Sequence, residues 1–317
     1  MITVNKKKDT SLKSCRDGFG QALLELGKNN KVVVVSADLA ESTRCLEFSQ
    51  KYPERFFEIG VAEQNMAGIA AGLALEGFIP FICSFAVFSP GRNWEQIRIS
   101  ICYNRANVKI VSSHAGLNVG EDGATHQALE DIALMRVLPN MTVIAPCDFK
   151  ETQKAVLAAA EIKGPVYIRF GRAKSVVITT SKSPFQIGKA EILKKGNDVT
   201  IIACGPLVVE ALKAAQALKK KKIEAEVVNC HTIKPIDQKI IVASAKKTGK
   251  VITIEEHQIN GGLGSAVAEI LSQNYPVPMQ IMGMPDKFGE SGKGQELLDK
   301  YDLNVKGIIN RVNKLLK

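Results

Sequence analysis

The chain has 317 residues, 45% of them hydrophobic and 23% charged, a balance that excludes an intrinsically disordered protein and leaves room for two folded domains. Its net charge of +10 comes from 42 Lys and Arg against 32 Asp and Glu. These are scattered without interleaved aromatics, which argues against a nucleic-acid surface and for solvated lysine. The densest basic runs, at 6–8 and 219–222, lie at a terminus and at a predicted helix end. No apolar run approaches the roughly 18–20 residues that cross a bilayer, and the lysine-rich start lacks the apolar core of a signal peptide. Seven cysteines, widely spaced and without a C-x-x-C pair, indicate neither a zinc site nor a disulfide framework. They point to a reducing cytoplasm.

Residues 14–26 read as a helix, with Leu23, Leu24 and Leu26 on its apolar side and Gly27 as its stop. The run KVVVVS at 31–36 is almost continuously β-branched, the mark of a strand buried on both faces. Strands at 56–59, 78–83, 108–113, 142–145 and 166–170 then alternate with helices at 62–75, 93–103, 127–137 and 149–161. Such alternation predicts right-handed crossovers and a parallel sheet covered by helices on both faces. The polar segment TTSKSP at 179–184 is the best candidate for a linker. A second series follows, with strands at 199–203, 223–229, 251–255 and 277–282, helices at 207–218, 236–248 and 264–273, and a last helix from Val305. The expected fold is α/β in two domains, 1–178 and 189–317, joined by a linker at 179–188. Each is a mainly parallel sheet flanked by helices.

In open α/β sheets ligands gather at the carboxyl ends of the strands. Polar residues fall at several such ends: Ser36 to Ser42, Gly60 to Glu63, Ser84 to Phe88, Ser113 to His126, and Arg172. Glu63 lies in the first turn of the helix at 62–75. Buried there, it would hold a proton more tightly and could serve as an acid; at the surface it would only complement the helix dipole. Small residues along the same helix (Ala67, Gly68, Ala70, Ala71, Gly72) suit close packing against a second helix, as at a subunit interface. Phe85 and Phe88 offer aromatic faces to a flat heterocycle or, more simply, core packing at a strand end. His114 and His126, two of four histidines, bracket the acidic loop GEDG. The segment EEHQINGGLGSA at 255–266 lacks the spacing and the ribose-binding acid of a dinucleotide site, so a tight strand-to-helix turn explains it.

The segment GVAEQNMAGIAAGLA at 60–74 resembles the transketolase stretch whose glutamate touches the aminopyrimidine ring of thiamine diphosphate. SADLAES at 36–42, SFAVF at 84–88, HAGLNVGEDGATHQ at 114–127 and FGESGKGQELL at 288–298 complete the likeness in the family's order. It covers the chain from about Lys13 to about Leu303. The resemblance implies that Glu63 hydrogen-bonds N1′ of the pyrimidine and activates the cofactor by sharing its proton. Phe85 and Phe88 would line the pyrimidine, with Phe88 as the stacking ring. The same resemblance places His114 and His126 on the substrate's phosphate and hydroxyls, making them catalytic candidates with Glu63, and Asp122 on a sugar hydroxyl. Arg16, Ser42 and Arg172 match the family's sugar-phosphate clamp, in which guanidinium forks suit phosphate oxygens. Arg169 is the alternative to Arg172. Ala115 and Ala124 stand where the family often has Asp and Pro.

Thiamine-diphosphate enzymes hold the diphosphate through a metal on a GDG motif followed by a later Asn. This chain contains no GDG. The resemblance therefore implies the second half of a transketolase, the pyrimidine-binding and C-terminal domains. Mg2+ or Ca2+ and the diphosphate would be held by an N-terminal-half partner subunit carrying GDG…N, in an α2β2 assembly. The implied reaction is transfer of a two-carbon ketol unit from a ketose phosphate to an aldose phosphate, as in the pentose phosphate pathway. One alternative is a deoxyxylulose-phosphate-synthase-like subunit, a family with Arg where this chain has His114. A 2-oxo-acid dehydrogenase β-type subunit lacks the GEDGATHQ loop in this form. A non-catalytic regulatory or assembly subunit is opposed by the retention of every aligned site residue.

Overall fold

The computed structural model describes residues 12–317; the basic run at 6–8 and the expected beginning of the first domain lie outside the described residues. Strand β1 (Leu12–Ser14) leads into helix α1 (Cys15–Leu26), where Ser14 Oγ caps the helix by accepting from the Asp17 amide. Strand β2 (Val32–Ser36) follows, then α2 (Ala40–Thr43), α3 (Leu46–Lys51), β3 (Phe56–Glu58) and α4 (Glu63–Leu75). Next come β4 (Ile79–Phe85), α5 (Trp94–Gln96) running into a π-helical segment Ile97–Tyr103, β5 (Lys109–Ser113) and α6 (Asp131–Arg136). Strand β6 (Thr142–Ile144), α7 (Phe149–Glu161), β7 (Val166–Arg169) and β8 (Lys174–Val176) close the first series. The second runs β9 (Glu191–Lys194), β10 (Val199–Ala203), α8 (Leu207–Lys219), β11 (Ala225–Asn229), β12 (Thr232–Lys234), α9 (Gln238–Thr248) and β13 (Val251–Gln258). It ends with α10 (Leu263–Asn274), β14 (Met279–Met284), α11 (Gly294–Lys300) and α12 (Val305–Leu316).

Seven strands form one sheet in the order β12-β6-β7-β5-β4-β2-β3, parallel except for β12. Five form a second, β14-β13-β10-β11-β9, parallel except for β9. The fold is thus mainly parallel α/β, as the alternation predicts. On one face of the larger sheet α1 and α7 bury Phe19, Leu23, Ala155 and Val156 against Val32, Val34, Phe81 and Val111. On the other, Met66, Ala67, Ala70 and Ala71 of α4 pack with Val35, Ile82, Ile97 and Ile110. Both faces being covered is why β2 and β5 are buried at every position. No helix among the described residues is long and apolar enough to cross a membrane.

Several details depart from the expected pattern. β1, β8, β9 and β12 are strands of three or four residues, all paired antiparallel, that the hydrophobic pattern did not reveal. β12 belongs by sequence to the second series, yet it pairs with β6 and extends the first sheet. The helix expected at 127–137 is confined to Asp131–Arg136, because Ala128 bridges to Ala115 and the chain bends at 129–130 before the helix begins. The polar stretch at 179–184 is anchored at its start: the Ile178 and Thr179 amides and the Thr179 hydroxyl all donate to Asp148, at the N-terminus of α7.

Candidate active site

Because β2, β3, β4 and β5 run parallel, their carboxyl ends deliver Ser36, Glu58, Phe85 and Ser113 to one rim of the sheet. Glu58 organises that rim. Its Oε1 accepts from the amides of Asp38 (2.6 Å), Ile59 (3.0 Å) and Gly60 (3.2 Å), tying the loop after β2 to the turn before α4. Gly60 makes that turn with φ +72°, a left-handed conformation that costs glycine little. The chain then enters α4 at Glu63.

Glu63 is buried, with 3% of its surface exposed. Its main-chain carbonyl accepts from Asn93 Nδ2 (3.0 Å), which also donates to Ser89 Oγ (3.2 Å). Arg92 Nη1 lies 3.2 Å from each carboxylate oxygen, and the guanidinium lies 4.0 Å from the centroid of the Phe88 ring. The acid and an aromatic face are therefore joined by a flat cation. Phe88 stacks at 5.9 Å on Phe85, and Phe85 stacks at 3.7 Å on the His114 imidazole. His126 meets the Phe88 ring edge-on at 5.4 Å. These side chains line one continuous wall.

His114 is buried, and its Nδ1 lies 2.8 Å from Ser113 Oγ. Burial pushes its pKa down to about 3, helped by the positive charges of Arg16 and Arg172 and by His126 and Arg44. At neutral pH it is an uncharged imidazole. Arg16 Nη1 donates to the Ser42 main-chain carbonyl at 2.8 Å, so Ser42 meets Arg16 through its backbone. Arg172 Nη1 donates to Val119 O at 3.2 Å and lies 3.6 Å from Asp122 Oδ2. Burial, with Arg44 and Arg172, lowers the pKa of Arg16. The positive charges of three arginines from distant segments thus act on a neutral histidine, although Arg44 is paired with Asp17 and Arg172 with Asp122; a field of this sign suits an anionic ligand.

Of the residues singled out from the sequence, Glu63, Phe85, Phe88, His114 and His126 form the wall, and Arg16, Ser42, Asp122 and Arg172 stand at its cationic end. Arg169 is committed elsewhere. It is buried and donates to Asp131 at 2.6 and 3.2 Å, whereas Arg172 is exposed beside Asp122. Arg44, which adds positive charge at His114, and Arg92, which pairs with Glu63, were not picked out. For Arg92 the available signal was a cation four residues beyond Phe88 at the same strand end. Among the described residues no group of three or more His, Cys, Asp or Glu is placed to hold a metal ion.

The transketolase pyrimidine-binding domain matches residues 12–176, and the transketolase C-terminal domain matches residues 188–308. The chain belongs to the transketolase family. It is 49% identical over 309 residues to a Methanocaldococcus jannaschii protein named for the C-terminal section of transketolase, covering 96% of this chain and 97% of that one. A 6-deoxy-6-sulfo-D-fructose transketolase subunit from a Clostridium species is 42% identical, with 95% and 94% covered. Among solved structures, a split-gene transketolase described as an inactive beta4 tetramer superposes with a TM-score of 0.90 at 50% identity, covering 96% of this chain and 98% of that one. Longer relatives match through only part of their length. The chain spans 48% of a Campylobacter jejuni transketolase (TM-score 0.82, 26% identity) and 47% of a Desulfotalea psychrophila 1-deoxy-D-xylulose-5-phosphate synthase (38% identity), covering 99% and 94% of this chain.

Proposed function

We propose that this transketolase-family chain is the pyrimidine-side subunit of a two-chain transketolase that moves a two-carbon ketol unit from a ketose phosphate to an aldose phosphate. The observation that carries the reading is a buried Glu63 carboxylate beside the Phe88 face, on the same rim as Arg16, Arg172 and neutral His114. These residues fit the pyrimidine end of thiamine diphosphate, since a flat cation already bridges the acid and the aromatic face. Bound there, thiamine diphosphate would supply the electron sink for breaking a carbon–carbon bond beside a ketone. Glu63, its backbone held by Asn93, would hydrogen-bond N1′ of the pyrimidine in place of its present contact with Arg92. Phe88 would stack on the ring once Arg92 leaves its face, with Phe85 behind it. His114, uncharged, exchanges hydrogen bonds with substrate hydroxyls without repelling the arginines; His126 and Asp122 take further hydroxyls. Arg16 and Arg172, with Ser42, bind the phosphate.

The diphosphate and its Mg2+ or Ca2+ belong to an N-terminal-half partner with the GDG…N motif, in a cytoplasmic α2β2 assembly. Support comes from the coverage: the chain matches a transketolase subunit almost end to end and a longer transketolase over 48% of its length. Gly68 and Gly72 of α4 face open space, which suits close approach of a second copy.

The test is reconstitution. Purified chain is mixed with the partner, magnesium and thiamine diphosphate, and ketol transfer between sugar phosphates is followed. Turnover is expected only in the mixture. Activity of the partner-free chain would overturn the two-chain reading, and condensation of pyruvate with an aldose phosphate in place of ketol transfer would favour the deoxyxylulose-phosphate-synthase-like alternative.

A further inference from the structure

The loop from His114 to Gln127 is held by the second sheet as well as by its own. Glu256, on β13, is 4% exposed, and its side-chain partner among the described residues comes from the other half of the protein. Its Oε1 accepts from Asn118 Nδ2. Its Oε2 lies against Gly116, where an added Cβ would come within 2.4 Å. Gly116 has φ +80°, so both its backbone and its missing side chain are matched to that carboxylate. The neighbouring Glu255 needs no such explanation, because it accepts from the Leu263 and Gly264 amides at the start of α10. Burying a carboxyl that serves only stability is costly. Glu256 bears that cost at a contact with the loop that carries Asp122.

The contact is well placed to matter. Asn118 is next to Val119, whose carbonyl accepts from Arg172, and Arg172 lies beside Asp122. On the other side the loop rests on residues 291–294. A Cβ on Gly294 would meet Asn118 Oδ1 at 2.6 Å, and one on Gly123 would meet Ser291 Oγ at 2.4 Å. At the base, the Glu256 carbonyl accepts from Arg169 Nη2 at 3.1 Å, so β13 is locked to the buried Arg169–Asp131 pair.

We propose that Glu256 is a positioning residue for the proposed sugar-phosphate site: through Asn118 it fixes the backbone from Gly116 to Asp122 and so sets Asp122 and Arg172 opposite His114. This rests on the functional reading above for what the loop binds, but not for how it is held. The second domain then has a task in substrate recognition although it supplies no group that touches the substrate.

Amide hydrogen exchange on the full chain tests the positioning without cofactor or partner. Asn118→Ala and Glu256→Ala should each speed exchange of 116–122 by about tenfold, the worth of roughly one lost hydrogen bond of this kind, with β10 and α8 unchanged. Glu256→Gln keeps an acceptor for Asn118 and should restore protection. In the complex with the partner subunit, Asn118→Ala should raise KM for a phosphorylated ketose by about the same factor with little change in kcat. Unchanged loop exchange in both alanine variants would overturn the proposal, as would a loss spread evenly over the second sheet or a failure of Glu256→Gln to restore protection. A loosened loop with an unchanged KM would leave the positioning standing and remove the substrate reading instead.

Discussion

Glu63 and Arg92 are 29 residues apart in sequence, and Arg92 Nη1 donates to both carboxylate oxygens, a contact no local pattern announces. The acid itself was legible, because a glutamate in the first turn after a strand end is visible as a residue type in a place. So were the two phenylalanines and the two histidines. What could not be read was which cation each would meet, since partners of long flexible side chains are settled by tertiary packing. Arg169 and Arg172 show the same limit: only the fold reveals that Arg169 is taken by Asp131. At this scale, Glu63→Gln keeps the shape but loses the shared proton. Exchange of the thiazolium C2 proton in the reconstituted complex should fall by about 10²–10⁴, the usual worth of a positioned acid or base; undiminished exchange would reduce Glu63 to a helix-terminal acid. Arg16→Ala and Arg172→Ala should each raise KM for phosphorylated sugars by roughly 10–150-fold, the loss of one charge-assisted hydrogen bond. An uncharged ketose such as erythrulose, which offers the clamp no anion, should be little affected. Equal losses on both substrates would show that the arginines hold structure instead.

Between elements, legibility followed burial. The strands β2, β4 and β10, buried at nearly every position, stand out as apolar runs. The missed strands β1 and β8 have exposed or half-exposed side chains at most positions, so nothing in their composition separates them from loop. β12 hides for another reason. It is a three-residue edge strand that leaves its own series to pair with β6, a topological choice invisible to periodicity. The glycines of α4 and of the loop after β5 make a contrast that can be measured. A methyl group on Gly68 would have nothing within 4 Å, and the residue lies inside a regular helix, so Gly68→Ala should stabilise the isolated chain by about 0.5–1 kcal/mol through helix propensity. Gly116→Ala meets a positive φ and the Glu256 carboxylate at once, and should destabilise by roughly 1–3 kcal/mol. Urea unfolding of both variants checks the pair; the same sign for both would contradict this account of why the two glycines are there.

Across the whole molecule, the two sheets are joined by buried polar contacts as well as by apolar packing. Besides Glu256 and Arg169, Glu151 of α7 accepts from the Cys147 amide at 2.6 Å and from Asn229 Nδ2 of β11 at 2.7 Å. Burial pushes its carboxyl from the usual 4.5 up to about 7, the hydrogen bonds from Cys147 and Asn229 pull it back, and the nearby Asp148 adds to the rise. A raised folded value means that the native state prefers the protonated acid. Its contribution to stability is therefore complete below pH 4.5 and is lost as pH rises through about 7. The size is about 3 kcal/mol. His114 and His231, held neutral with pKa values lowered to about 3 and about 4, act in the opposite sense. Their contribution is complete above 6.5 and is lost as pH falls, so the stability curve of the wild type blends both. The difference between wild type and Glu151→Gln isolates the acid, because glutamine keeps acceptor and shape but cannot ionise. In denaturant unfolding at about pH 5 and about pH 8, Glu151→Gln should gain on the wild type by roughly 2–3 kcal/mol between the two. A difference that stays constant with pH would mean that Glu151 carries no burial cost across this contact between the sheets.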